Sequence, residues 1–340
     1  MHSSRKILAI QFKYFGDAVL MTPALRAIRE HLPKCELHLL VPEEIAPIFQ
    51  HLPWLNRVWP MPRRRGRGDL LQTLPMIRAL RCERFDRSVD FASNDRGAIA
   101  SFLVGAKERL GWEQGGGFWG RRFCYNRRVA PEAIALHESS HLIYLLSGWN
   151  IPPPRSLESE IRADPALADA ARKILPAENA ILCHVASSQR KKEWPLHHWA
   201  ALQRLASRAG WTMLFTTARG EREQTVMTEF SRLAPEAVVL PLINDLPLLL
   251  AVLRRAALFI SGDTGPLHFA AGLGVRTISL FGPTLPERWA PAGARHQWLK
   301  GSNCSCSGHS AICQSDAHCL AEISPEQVFQ CLEKVQMPNP

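Results

Sequence analysis

Short apolar runs alternate with segments of helical periodicity along almost the whole chain. In the first half, runs at 6–12, 36–41, 85–91 and 104–110 predict strands, and segments at 17–31, 69–82, 94–103 and 136–148 predict helices. The second half repeats the scheme more cleanly. Strands are predicted at 180–186, 211–217, 237–242, 257–262 and 276–282, and helices at 195–209, 221–233, 246–255 and 266–273. Strands alternating with helices predict an α/β fold with two parallel sheets, each covered by helices on both faces. Between the halves lies Ile151-Pro152-Pro153-Pro154-Arg155, which cannot be helix interior and reads as a stiff linker. The expected organisation is two Rossmann-like domains, 1–155 and 156–325, with a final helix in 326–340. Ligands of open parallel sheets bind at the carboxyl ends of the strands, so both domains should present sites to a shared cleft.

Chemistry concentrates in residues 258–283, LFISGDTGPLHFAAGLGVRTISLFGP. An apolar run ends at a polar, Gly-rich turn of Ser261, Gly262, Asp263, Thr264 and Gly265, and a helix opens at Pro266. Such a helix start leaves backbone N–H groups free and attracts anions through those donors and the helix dipole. An ordinary cap would produce the same pattern. The crowding of Asp263, Thr264, Gly265 and His268 into six residues favours a phosphate-binding turn. A second candidate is His184-Val-Ala-Ser187-Ser188-Gln-Arg190-Lys191-Lys192-Glu-Trp194-Pro195, where hydroxyls and lysines between a strand and a helix can grip a pyrophosphate. Trp194 reads there as packing. Glu221, after Gly220, is placed to accept ribose hydroxyls, with Glu223 as a competitor and a plain surface acid as the alternative. Leu242 and Ile243 are strand-end apolar residues.

Composition narrows the class. The chain has 340 residues, 46% of them hydrophobic and 21% charged, which suits a soluble protein of two domains with sizeable cores. No run approaches the ~20 apolar residues of a membrane span. The Ile7–Phe12 run is too short for a signal peptide and lacks a cleavage site, so a cytoplasmic protein is expected. Net charge is +10, and between residues 61 and 130 there are 15 Lys and Arg against 7 Asp and Glu. Arg63, Arg64, Arg65 and Arg67 form the densest cluster, with Arg121, Arg122, Arg127 and Arg128 a second. That field suits an anionic membrane or a phosphorylated substrate, or it is a merely solvated face. No nucleic-acid-binding motif accompanies it, and nucleic acid is not an expected partner. Of nine cysteines, Cys304, Cys306, Cys313 and Cys319 cluster with His309 and His318, but without the paired C-x2-C spacing of common zinc sites. Local packing is favoured over a metal or redox role.

The sequence D-T-G-P-x-H, followed by A-A-x-L-G and S-L-F-G-P-T, resembles glycosyltransferase family nine, the ADP-heptose:lipopolysaccharide heptosyltransferases. The N-terminal Ile10-Gln-Phe-Lys-Tyr-Phe-Gly-Asp17-Ala-Val-Leu-Met-Thr-Pro23 resembles the family's strand, G-D turn and opening helix, about 245 residues upstream. The likeness covers nearly the whole chain, most faintly between about 60 and 135, and leans towards the third heptosyltransferase type. It implies the arrangement called GT-B, with an acceptor-binding N-terminal domain, a nucleotide-sugar-binding C-terminal domain, and a last helix, about Pro325–Val335, packed back on the former. Asp17 matches the family's proposed general base, although helix capping is its alternative role. The implied donor contacts are Ser187, Ser188, Lys192, Glu221, Leu242, Asp263, Thr264, Gly265, Pro266 and His268. The commoner His-Pro-Gly-Ser loop is replaced here by His184-Val185-Ala186-Ser187. Acceptor contacts are expected from Lys13, Gly16, Arg63, Arg64 and Arg65. No cofactor is implied beyond the donor substrate ADP-heptose, and no Asp-x-Asp metal motif is present. The expected partners are ADP-heptose, the lipopolysaccharide inner core and the anionic inner face of the inner membrane. A transferase of another nucleotide sugar, or a non-catalytic binder of the same fold, are the rival readings; the presence of Asp17 argues against the second.

Overall fold

The structure is a computed structural model of the whole chain, and it describes residues 5–62, 70–113, 116–132, 137–177, 179–187, 189–216, 218–301 and 318–335. The chain divides into two compact units, Met1–Arg162 and Ala163–Pro340.

The N-terminal unit contains β1 (Lys6–Ile10), α1 (Phe15–Leu20), α2 (Thr22–His31), β2 (Glu36–Pro42), β3 (Arg57–Met61), α3 (Leu70–Cys82), β4 (Arg87–Asp90), α4 (Asp95–Val104), β5 (Glu108–Trp112), β6 (Arg127–Val129) and α5 (Glu138–Leu145). Its strands run in the order β3-β2-β1-β4-β5-β6, and every pairing is parallel. This is the doubly wound order, whose topological switch lies between β1 and β4. The inner strands are buried on both faces, so they read as unbroken apolar runs: Ile7, Leu8, Ala9 and Ile10 are all fully buried. The predicted helix at 17–31 is two helices, because the chain turns at Met21 before Pro23. The strand predicted at 104–110 lies later, at 108–112, because Val104 ends α4 and Gly105 (φ 73°) closes that helix in the left-handed conformation.

The C-terminal unit contains α6 (Ala168–Ile174), β7 (Ile181–His184), α7 (Leu196–Arg208), β8 (Met213–Thr216), α8 (Glu221–Leu233), β9 (Val238–Val239), α9 (Leu246–Arg255), β10 (Leu258–Gly262), α10 (Gly265–Gly272), β11 (Arg276–Phe281), α11 (Pro286–Trp289), β12 (His296–Lys300), α12 (His318–Ala321) and α13 (Pro325–Lys334). The order β12-β11-β10-β7-β8-β9, again parallel throughout, puts the switch between β7 and β10. The α/β class with two Rossmann-like parallel sheets is therefore as the pattern predicts. Strands β3, β6 and β12 have no counterpart among the predicted ones; all three contain polar or charged residues suited to a sheet edge.

The expected boundary after residue 155 is corrected. Residues 156–162 stay with the N-terminal unit rather than opening the second domain. Arg26 donates to the carbonyls of Ser156 (2.6 Å) and Glu158 (2.7 Å), the Glu160 amide donates to Thr22 Oγ1 (2.9 Å), and Ile161 is buried. The last helix, α13, packs on α7 of the C-terminal unit. Its Val328 and Leu332 join the core around Trp194 and Trp199, and a Ser324–Gln327 capping box fixes its start.

Candidate active site

The C-terminal unit brings three strand ends together on Asp263. Asp263 directly follows β10, next to the switch point. Lys192, in a single turn after β7, donates from Nζ to Asp263 Oδ2 at 2.7 Å, and Thr284, just past β11, donates to the same oxygen at 2.9 Å. His268, one turn into α10 and buried, places Nε2 3.9 Å from Asp263 Oδ1. Burial alone would raise the Asp263 pKa; the His268 ring and the Lys192 ammonium outweigh it and hold the carboxyl well below its usual range. Close approach sets the backbone here: a Cβ on Gly262 would lie 2.7 Å from the Lys192 carbonyl oxygen. Only glycine lets the two strand ends meet.

At the head of α10, Thr264 has an extended backbone (φ −137°), its side chain makes no cap hydrogen bond, and Pro266 carries no N–H. Among the described residues, the Thr264 hydroxyl and His268 Nδ1 are both buried without a hydrogen-bond partner. Buried polar atoms are normally satisfied, so unpaired groups beside a lysine and a helix N-terminus suit a site that a ligand completes. The predicted Lys192, Asp263, Thr264, Gly265, Pro266 and His268 thus converge. Thr284 was not among them, although it ends the S-L-F-G-P-T stretch.

Ser187 serves the loop itself. Its amide donates to Glu193 Oε1 (2.9 Å), its hydroxyl accepts from the Gln189 amide (3.3 Å), and its carbonyl accepts from Arg222. Arg222 also grips Glu193 in a two-pronged pair at 2.8 and 2.5 Å, joining α8 to the Lys192 loop. This Glu193–Arg222 clamp links residues 29 apart and has no local sequence signal. Ser188 lies outside the described residues. Trp194 is core, as expected, donating to the Ile323 carbonyl at 2.8 Å. Glu221 and Leu242 are exposed, after β8 and β9, and no described side-chain hydrogen bond ties them to the Asp263 cluster. His184, at the end of β7, is buried, which lowers its pKa to about 4 and keeps it neutral.

In the N-terminal unit, Lys13 follows β1 and is shared by two carboxylates: Asp17 Oδ1 at 3.8 Å and Glu138 Oε1 at 3.6 Å. Asp17 is not a cap. Tyr14 occupies that position without a side-chain bond, and Asp17 sits with Gly16 in the first turn of α1. Glu138 opens α5 and is almost wholly buried, and the neighbouring Ser139 hydroxyl ties α5 to α1 through the Leu20 carbonyl (2.8 Å). Across the switch point, Asp90 ends β4 fully buried, accepting from Tyr125 Oη at 2.5 Å and from the Ala92 amide at 2.9 Å. Burial pushes its pKa up to about 6 against the opposing Tyr125 hydrogen bond. Sequence reasoning missed Glu138 and Asp90, since neither sits in a recognisable motif. Arg63, Arg64, Arg65 and Arg67 lie outside the described residues, as do Cys304, Cys306, His309 and Cys313; Cys319 is buried.

Comparison with known proteins gives the family. The family model of glycosyltransferase family 9 (heptosyltransferase) matches residues 73–315. Lipopolysaccharide heptosyltransferase 2 of Escherichia coli K12 is 22% identical over 342 residues, covering 96% of this chain and 97% of its own. Lipopolysaccharide heptosyltransferase 1 of Pseudomonas aeruginosa is 28% identical over 313 residues, covering 89% and 85%. Among solved structures, a family 9 glycosyl transferase of Veillonella parvula superposes with a TM-score of 0.84 at 20% identity, over 98% of this chain and 97% of that one. These low identities to types 1 and 2 do not select a numbered type. The family match spans well over half of the chain and includes the Lys192 loop, the Asp263 turn and α10. The chain belongs to glycosyltransferase family 9, the heptosyltransferases.

Proposed function

We propose that this enzyme transfers heptose, with inversion, from ADP-heptose to a hydroxyl of the lipopolysaccharide inner core. The observation that carries the reading is the convergence of Lys192, Asp263 and His268 on the open N-terminus of α10. The names of the relatives, lipopolysaccharide heptosyltransferases, support the substrate pair. Lys192 is held by Asp263, yet an ammonium has three donors and can serve a diphosphate as well. Asp263, being anionic, suits a sugar hydroxyl better than a phosphate. Thr264, Gly265 and Pro266 form the helix start that faces the diphosphate. Ser187 shapes the Lys192 loop and Ser188 is assigned to the diphosphate, while Glu221 and Leu242 are assigned to the ribose and the adenine.

In the reaction, Asp17 takes the proton of the acceptor hydroxyl as that oxygen bonds the anomeric carbon. The bond from that carbon to the diphosphate breaks, and ADP leaves with the electron pair. Lys192 and the α10 N-terminus stabilise the charge that develops on the leaving group. Lys13 and Gly16 frame the acceptor beside Asp17. Arg63, Arg64 and Arg65 meet its phosphates and the anionic inner face of the inner membrane, where the enzyme works from the cytoplasm as a peripheral protein. Among the described residues no helix is long and apolar enough to cross a membrane.

Incubation with ADP-heptose and a series of truncated lipopolysaccharides, read by mass spectrometry, tests this. One acceptor should gain the mass of one heptose. The responding truncation identifies the position built and hence the type, the third being expected. Transfer only from another nucleotide sugar, or tight ADP-heptose binding with no transfer to any acceptor, overturns the reading.

A further inference from the structure

One face of the N-terminal unit is too apolar for water and too basic for a protein core. Helix α4 exposes Ile99, Phe102 and Leu103, three and four positions apart and so on one side of the helix, at 44%, 53% and 37%. The segment at 116–125 packs against α4: Ala98, Cys124 and Tyr125 share a small core, and the Phe118 amide donates to Asp95 at 3.4 Å. That segment exposes Phe118 (39%), Trp119 (87%) and Phe123 (57%). Arg109 joins the two halves, its guanidinium 5.8 Å from the Phe102 ring while it donates to the Cys124 carbonyl at 2.8 Å. Six large apolar side chains therefore lie along adjoining elements.

Single exposed apolar residues need no explanation, but a contiguous group of this kind marks an interaction surface. Its rim is cationic. Residues 95–130 contain seven Lys and Arg against three Asp and Glu, and two of the acids are engaged, Asp95 with Arg121 (3.8 Å) and Glu108 with Arg87 (3.1 Å). Arg122 stands 4.8 Å over the Phe123 ring, Arg128 follows on the same stretch and is exposed, and Arg96 is exposed on α4. Exposed aromatic rings interleaved with arginines match the boundary between lipid headgroups and acyl chains: rings enter the boundary and guanidinium groups reach phosphates. A second copy fits poorly, because a face meeting itself would set arginine against arginine.

We propose that Ile99, Phe102, Leu103, Phe118, Trp119 and Phe123 seat the enzyme shallowly on an anionic lipid bilayer, held by Arg96, Arg122 and Arg128. This deepens the peripheral-membrane part of the proposed function; its glycosyl-transfer part is not needed for the seating itself.

The test uses the full chain and flotation with phosphatidylglycerol/phosphatidylethanolamine vesicles, with pure phosphatidylcholine as reference. The parent should partition onto the anionic vesicles at least tenfold more strongly than onto the neutral ones. Trp119→Ser/Phe123→Ser, and Trp119→Ser alone, should melt as the parent does and bind ADP equally. Their partition should fall roughly tenfold or more for the pair and by less for the single change, and part of the parent's binding should survive high salt. Vesicle binding unchanged in both variants and abolished by salt would show plain electrostatic adsorption and overturn the proposal. So would a parent dimer that the substitutions dissociate, or loss of transfer to a soluble, lipid-free acceptor glycan, which would make the patch part of the acceptor site. Vesicle binding as expected with no heptose transfer at all would instead sink the proposed reaction and leave the seating intact.

Discussion

Asp17 illustrates how a side chain's role depends on where its helix begins. Since Tyr14 and not Asp17 occupies the cap, Asp17→Asn loses the ion pair with Lys13 and a first-turn charge, the latter worth about 0.3–1 kcal/mol at a helix start. Melting and ADP binding should stay near normal while turnover falls by ~10²–10⁴, the usual contribution of a general base. Transfer within threefold of the parent rate would remove Asp17 from that role. Lys192 and Asp263 are nearly dry, their side chains 17% and 11% exposed, so Lys192→Ala both deletes a diphosphate contact and leaves the carboxylate to Thr284 and His268. A charge-assisted contact of ~1.5–3 kcal/mol predicts an ADP affinity lower by roughly 10- to 100-fold in calorimetry, and unchanged binding would take Lys192 out of the site. His184 makes a pH prediction. Its pKa is about 4 in the fold against 6.5 ordinarily, so between those values the unfolded chain binds more protons. Its contribution is complete above pH 6.5 and is lost as pH falls towards 4, about 3 kcal/mol in all. Denaturant unfolding of His184→Gln and the parent at pH 7 and pH 4.5 should show the smaller loss in the variant. Equal losses would mean that His184 is not held neutral.

The strand ends and the turns after them build the site. Gly262 lies where the β10 end passes the Lys192 loop, and a methyl group there would stand 2.7 Å from a backbone oxygen that has little room to retreat. Gly262→Ala should cost ~1–3 kcal/mol in overpacking, lowering the melting temperature by roughly 3–10 °C. It should also weaken ADP binding, because the displaced backbone is that of Lys192. Thermal scans and calorimetry on one sample check both, and a variant that melts and binds like the parent would show that the approach is looser. The Gly-Asp-Thr-Gly-Pro turn was legible because each of its residues does a local job at a strand end or helix start. The Glu193–Arg222 clamp was not, because its partners come from different elements and meet only after α8 packs beside the β7 loop. Edge strands β3, β6 and β12 escaped notice for a related reason: without two buried faces, they lack the apolar run that reveals β1 or β10.

For the molecule as a whole, charge is the property that travels furthest from any single contact. The net charge of +10, with the excess concentrated between residues 61 and 130, predicts association with anionic vesicles that weakens as salt rises, since exposed charges are screened within ~8–10 Å at ordinary ionic strength. Reversing Arg63, Arg64 and Arg65 to Glu should lower that association at low salt and leave ADP binding untouched. Equal vesicle binding by the variant would return these arginines to a solvated face. The unit boundary belongs to the same level of description. Three consecutive prolines mark a break in secondary structure, yet the chain continues to pack on α2 as far as Ile161, because Arg26 and Thr22 supply hydrogen bonds to its backbone.

What could be read without coordinates was whatever nearest neighbours along the chain decide: the parallel α/β class, the two halves, the glycine turn at the head of α10 and the family likeness that turn carries. Hydrophobic period, glycine and proline act within a few residues, so their pattern survives in one dimension. The tertiary structure decided which distant groups share a charge. Lys13 lies between Asp17 and a buried Glu138 from 125 positions further on, Asp263 gathers Lys192 and Thr284, and Asp90 ends beneath Tyr125. Strand order selects those partners, placing β1 against β4 and β7 against β10, and no spacing along the chain encodes that order.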